Sequence, residues 1–361
     1  MAGRRVWVSD CEGPISKNDN AFELAQYFIP NGDKLFTLIS RYDDLLADVI
    51  KKPDYKAGDT LKLILPFLKA YGATNQTITE YSSRNVLLVP GAKDTLQFVK
   101  RRMPSFIVST SYEQYLFSLC KLTGFPFENV YCTRLDLDKY KISTEEKMKL
   151  KKMAEEITKL KTFEIPENVQ SINDLRLEDR KTVEKLDSIF WEKLPRMEVG
   201  KMLRDINPIG GYEKSNSVKD IIIKTGSNLA DVLYVGDSIT DVFSFRLVRN
   251  GGGLTISFNG NQYAVREAEI AVISNHTIII SLLADTFNRL GRDETLKLVR
   301  EWSTQALKEY SPPNLYNEIL TLFHMELPKV EIVTEQNRER LIRESSSFRK
   351  TVRGEIIGNL G

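Results

Sequence analysis

The stretch Val6-Trp7-Val8-Ser9-Asp10-Cys11-Glu12-Gly13-Pro14 decides how the rest of the chain is read. A short apolar run predicts a strand entering a sheet, and it stops at an acid. A second acid follows two residues on, and Gly13-Pro14 turns the chain away. Carboxylates at i and i+2 past a strand end can line one cleft while Cys11 points elsewhere. In an open parallel sheet the cleft beyond the carboxyl ends of the strands is where ligands bind. Acids often end strands and simply meet water, so the motif gains weight only from matching parts downstream.

Outward from this stretch, residues 20–83 predict helices. Phe22, Leu24, Ala25 and Phe28, then Leu35, Leu38, Ile39, Leu45, Leu46 and Val49, recur at three-to-four spacing. Pro30-Asn31-Gly32-Asp33 and Pro53-Asp54 punctuate them, and Asp59 is expected to cap a further helix. A helical unit over 16–85, placed straight after the first strand, is expected to cap the cleft. Val86 to Val89 return the chain to the sheet layer. An amphipathic helix, Ala92 to Arg102, and a strand, Phe106 to Ser109, follow, the strand ending in a hydroxyl. Helix Glu113 to Thr123 and strand Asn129 to Thr133 continue the alternation.

From 139 to 206 Lys and Glu dominate, over a sparse apolar stripe of Met148, Met153, Ile157 and Leu160. This predicts a charged helical insertion, either a surface hairpin shielding an edge or a wall of the substrate site. The alternation resumes with a helix Ser217 to Thr225 and a strand Asp231 to Val235 that runs into Gly236-Asp237-Ser238-Ile239-Thr240-Asp241. Gly253 to Phe258 predicts a strand, and Glu269 to Ile273 the last one. Residues 276–361 read as a helical C-terminal extension, with a polar tail from Thr334 that lacks a clear core face. The predicted fold is α/β: a doubly wound parallel sheet from 1–15, 86–138 and 207–275, with a helical cap and an additional helical insertion.

Composition narrows the function. The chain has 361 residues, 42% apolar and 28% charged, with a net charge of +2. That length supports two or three cores. The near balance of charge argues against a dedicated nucleic-acid binder. The apolar run after Arg4-Arg5 is too short for a signal peptide or a membrane span, so a cytoplasmic protein without membrane insertion is expected. Cys11, Cys120 and Cys132 show no metal spacing, and His276 and His324 are too few for a histidine zinc site. Any metal is expected to be a hard cation on carboxylate oxygens, which points to magnesium.

Four pieces then fall at strand ends: Asp10 with Glu12, Ser109, Lys214, and Asp237 with Asp241. A carboxylate can attack phosphorus and form an aspartyl phosphate. Magnesium on further carboxylates neutralises phosphoryl charge, and a hydroxyl and a lysine can hold the phosphoryl oxygens. Each piece alone has a bland reading as cap, solvated lysine or turn. Their order on β-α alternation is what chance does not readily supply.

These motifs resemble the haloacid dehalogenase superfamily of phosphohydrolases, over about 4–15, 86–137 and 209–275. The resemblance implies Asp10 as nucleophile and Glu12 as general acid/base, with the Glu12 backbone carbonyl also touching magnesium. It places Ser109 in the second motif and Lys214 in the third, 23 residues before Asp237. Asp237 would ligate the metal, and Asp241 would support it directly or through water. Asp-Cys-Glu-Gly, Ser109-Thr-Ser-Tyr-Glu and Gly-Asp-Ser-Ile-Thr-Asp look most like phosphoserine-phosphatase-type members. The whole chain also resembles an archaeal branch that includes proteins described as subunit R of an energy-converting hydrogenase. Glu12 stands where most members carry Asp, and no cap arginine aligns; Glu23, Arg41 and Asp43 are the cap candidates. The implied activity is magnesium-dependent hydrolysis of a small phosphorylated metabolite. A phosphotransferase on the same site and a non-catalytic subunit of a larger complex are the alternatives.

Overall fold

β1 (Val6–Ser9) is buried along its whole length, and its side chains alternate between two cores. Trp7 packs with Ile107, Leu233 and Val235 on one face, while Val6 and Val8 pack with Phe106, Val108 and Tyr234 on the other. β1 pairs in parallel with β2 (Ser105–Tyr112) on one side and β4 (Val232–Gly236) on the other. In this computed structural model, which describes residues 4–165, 169 and 171–360, the described strands form one sheet in the order β3-β2-β1-β4-β5-β6-β7. β3 is Val130–Thr133, β5 Leu254–Phe258 and β6 Ile270–Ile273, all parallel. The α/β, doubly wound class is as expected.

β7 (Lys329–Ile332) was not foreseen; it runs antiparallel to β6 at the sheet edge. It is short and only partly buried, so period-two alternation had little room to show. The predicted return at Val86 to Val89 is not a strand of the sheet. Leu88 makes a single bridge to Ser16.

The chain builds β1, β2 and β3 outward, then crosses back to place β4 on the far side of β1. Strand order therefore reverses between β1 and β4, and the crevice at their carboxyl ends is the natural ligand position. Asp10 follows β1 there, and Asp237 follows β4.

The first insertion forms helices Asn20–Phe28, Gly32–Asp44, Thr60–Ala70 and Asn75–Arg84. Asp59 does not cap with its side chain; its carboxylate pairs with Lys56 and Lys62. The charged insertion forms helices Thr144–Thr158 and Leu177–Asp187, and it does not stand apart. Leu150, Ala154, Ile157, Val183, Leu186 and Phe190 share one core with Leu35, Leu38, Ile39, Leu63 and Phe67. Its buried stripe runs through Leu150 and Ala154, while Met148 is exposed.

The polar tail is ordered as helix Arg338–Arg353, docked through Leu341 and Ile342 against Val265, Ala271 and Ile273 of the sheet layer. Beyond it, Leu360 packs into the helical core formed by the two insertions. No helix among the described residues is long and apolar enough to cross a membrane.

Candidate active site

Parallel pairing carries β1 one step past its last residue, where the Asp10 N–H donates to Val235 O at 2.8 Å. The Asp10 carboxylate is thereby presented at the sheet edge, with Oδ1 accepting the Cys11 N–H at 2.6 Å. Gly13 then takes φ +107°, a left-handed value that disfavours any side chain. A Cβ at Gly13 would lie 2.0 Å from Asp237 Oδ2, so the turn needs glycine for close approach as well as for conformation. Glu12 is partly buried, and its Oε1 accepts the Asn20 N–H at 2.7 Å where the first cap helix begins.

Lys214 sits in the first turn of helix Tyr212–Thr225, which starts earlier than its apolar spacing suggested. A lysine there is ordinarily solvated, yet this side chain is wholly buried. Its Nζ donates to Asp10 Oδ2 at 2.6 Å and to Asp241 Oδ1 at 2.8 Å. Asp241 is satisfied from every side. Oδ1 also accepts the Tyr234 hydroxyl at 2.7 Å, and Oδ2 accepts the N–H groups of Asp237 and Ser238 at 2.9 and 3.1 Å.

Asp237 is buried, and its Oδ2 receives two guanidinium groups, from Arg349 and, at 3.3 Å, from Arg353. One ligand atom from each of Asp10, Asp237 and Asp241 lies within 4.8 Å of the others. Three buried carboxylates of that spacing form an all-oxygen donor set, which suits a hard divalent cation.

Burial pushes the Asp10 carboxyl up to about 7; the Lys214 ammonium pulls it down, and Asp241 and Asp237 push it up again. Burial works against the Lys214 charge, but Asp10 and Asp241 outweigh it and hold its pKa above the ordinary lysine value. Glu12 is held well above the usual glutamate range, first by burial and then by neighbouring Asp19. The Asn20 N–H, Arg353 and the Ser111 hydroxyl oppose the shift.

Between the sheet edge and the helical cap lies a small cavity of about 90 Å³. Asp10, Glu12 and Asp237 form its floor, Asp19, Asp43 and Asp44 its cap side, and Arg349, Arg353 and Leu360 close it from the C-terminal segment. Of the expected residues, Asp10, Lys214, Asp237 and Asp241 come together in direct contacts, with Glu12 in the cavity wall beside them. Ser109 is buried on β2 with its Oγ accepting the Ser111 N–H at 3.2 Å; the adjacent Thr110 lines the cavity instead. Among the cap candidates Asp43 lines the cavity, but Glu23 turns to the Asn18 side chain and Arg41 lines a separate surface pocket.

Sequence reasoning missed Arg349 and Arg353. A signal was present: Leu341, Ile342, Ser345 and Arg349 recur at three-to-four spacing and are the buried face of their helix. The stripe reads as polar because its last member is an arginine.

No protein-family model matches this sequence, and no curated protein matches it. Among solved structures, the gene product AF1437 from Archaeoglobus fulgidus is similar with a TM-score of 0.81 at 25% identity, covering 99% of this chain and 99% of that one. Substrate-bound phosphoserine phosphatase is similar with a TM-score of 0.47 at 13% identity, over 78% of this chain and 98% of that one. A HAD family hydrolase from Salmonella enterica serovar Typhi gives 0.44 at 12%, over 76% and 68%. The match to AF1437 spans both chains, so the two proteins share one architecture from end to end.

Proposed function

We propose that the chain is a magnesium-dependent phosphomonoester hydrolase of the haloacid dehalogenase type, acting on a small phosphorylated metabolite. The observation that carries this reading is the Asp10–Lys214–Asp241 contact, with Asp237 beside it, at the point where strand order reverses. Asp10 is the nucleophile: its carboxylate faces the cavity, and Lys214 compensates its buried charge. Ser109 is the hydroxyl of the second motif in this reading; it stands just behind the cavity lining, its Oγ accepting the Ser111 N–H, and backs the phosphoryl site from there. Glu12 is placed to donate a proton to the leaving oxygen and afterwards to take one from water, its orientation held by the Asn20 N–H.

Asp10 and Asp237, with the Glu12 backbone carbonyl, are the groups that would hold magnesium directly, and Asp241, whose oxygens are already taken by hydrogen bonds, would support it through water. When bound, the cation supplies positive charge to the phosphoryl oxygens. The first insertion and the C-terminal segment line the cavity across from the acids, where they would meet the rest of the substrate.

The test is phosphate release from a broad panel of phosphorylated metabolites with magnesium present. Asp10→Asn keeps the shape of the side chain but cannot attack phosphorus, so it should abolish release while far-UV circular dichroism stays unchanged. Near-normal turnover by that variant would remove Asp10 from the nucleophile role.

A further inference from the structure

The C-terminal helix Arg338–Arg353 reaches the acid cluster across 112 residues of sequence, and nothing in the chemistry above requires it there. We propose that Arg349 and Arg353 are positioning residues, holding one oxygen of Asp237 so that the other stays open to a divalent cation. The inference rests on the reading of the acid cluster as a cation site.

The two oxygens of Asp237 are treated differently. Oδ2 accepts from both guanidinium groups and abuts Gly13, where a Cβ would lie 2.0 Å away. Oδ1 receives no hydrogen bond among the described residues. The arginines are themselves anchored. Arg349 is 2% exposed, bonds the Asp237 carbonyl at 3.3 Å and reaches Leu360 O at 3.4 Å. Arg353 donates through Nε to Lys17 O at 3.1 Å and through Nη2 to Asn18 O. A fork fastened at its far end is a rigid donor, so the carboxylate it holds has one orientation. Partners behind a metal ligand orient it in this way, and losing one typically costs 10–100-fold in metal affinity. The opposite effect is also physical: two guanidinium charges repel an incoming cation, so their removal could tighten binding. Both guanidinium groups are engaged on Oδ2, and the open Oδ1 favours orientation over repulsion.

Mn²⁺ binding to the full chain, followed by electron paramagnetic resonance with Mg²⁺ competition, decides the matter without any substrate. Arg349→Gln and Arg353→Gln should each weaken Mn²⁺ binding by about 10–100-fold. Arg349→Lys, which keeps the charge and loses the fork, should recover part of the loss. Arg343→Gln removes a charge from the exposed side of the same helix without touching Asp237 and should change the affinity little. If Arg349→Gln does not fold, Arg353→Gln carries the test, since it leaves the Arg349 contact in place. Binding as tight as or tighter than wild type in Arg349→Gln and Arg353→Gln overturns the proposal, as does an equal loss in Arg343→Gln. Wild-type protein that binds no Mn²⁺ would instead overturn the cation reading beneath it.

Discussion

Asp44 shows how one side chain carries a consequence for the whole fold. It lies on the cap side of the cavity, 5% exposed, and no hydrogen bond or ion pair reaches it among the described residues. Burial pushes its carboxyl up to about 8, with Asp43 adding to the shift, Arg41 opposing it and Asp48 adding again. An unfolded aspartate titrates near 3.9, so between about pH 4 and pH 8 the folded chain holds a proton that the unfolded chain has lost. The stability from this group is complete below about pH 4 and is lost as pH rises to about 8. Asp44→Asn removes that dependence. Urea unfolding should show the variant's advantage growing from pH 5 to pH 8, by up to about 1.4 kcal/mol per pH unit. Stability curves that stay parallel across this range would show that Asp44 is not held protonated. Lys214 is the contrasting case, a charge that is buried but fully paired.

At the level of elements, the lysine- and glutamate-rich insertion belongs to the same body as the first. Phe190 stacks on Tyr42 at 5.9 Å and meets Phe67 edge-on at 6.1 Å, while Trp191 Nε1 donates to the Tyr42 hydroxyl at 2.6 Å. A ring buried between two insertions is worth far more than its place in a charged segment suggests. Phe190→Ala should cost about 3–5 kcal/mol through lost transfer energy and the cavity left behind. The exposed Met148→Ala should stay within about 0.5 kcal/mol of wild type. Equal and small losses in denaturant unfolding would mean that the two insertions do not share a core. Composition and a sparse stripe marked this segment as helical, yet they could not show which stripe was buried, because Met148 and Leu150 are equally apolar in sequence.

Across the whole molecule, the chain end ties sheet to cap. Leu341 and Ile342 dock on the sheet layer, Arg353 holds the Lys17 and Asn18 carbonyls at the base of the first cap helix, and Leu360 enters the cap core. Removing 334–361 should therefore speed amide hydrogen exchange in Asn20–Phe28 and Gly32–Asp44, while β1 and β4 keep their protection. Unchanged exchange in those helices would show that the cap holds its place without the chain end.

Much of this was legible in the sequence, and the reason is local. A strand buried on both faces and an amphipathic helix write their periods into consecutive residues, so the β-α alternation and the order Asp10, Glu12, Ser109, Lys214, Asp237, Asp241 could be read directly. The Gly13 turn was legible too, since Gly-Pro cannot continue a strand. Three matters only the tertiary structure decided. Lys214 is buried because Asp10, just past β1, and Asp241, in the turn after β4, converge on it. The charged insertion joins the first because its apolar stripe meets Leu38, Ile39 and Leu63 in one core. Arg349 and Arg353 reach Asp237 because the last helix docks against β6 and turns one face toward the cavity. Composition along a segment reports how much of it can be buried, but not against what. Charges that find their partners across such distances look, in sequence, the same as charges that meet water.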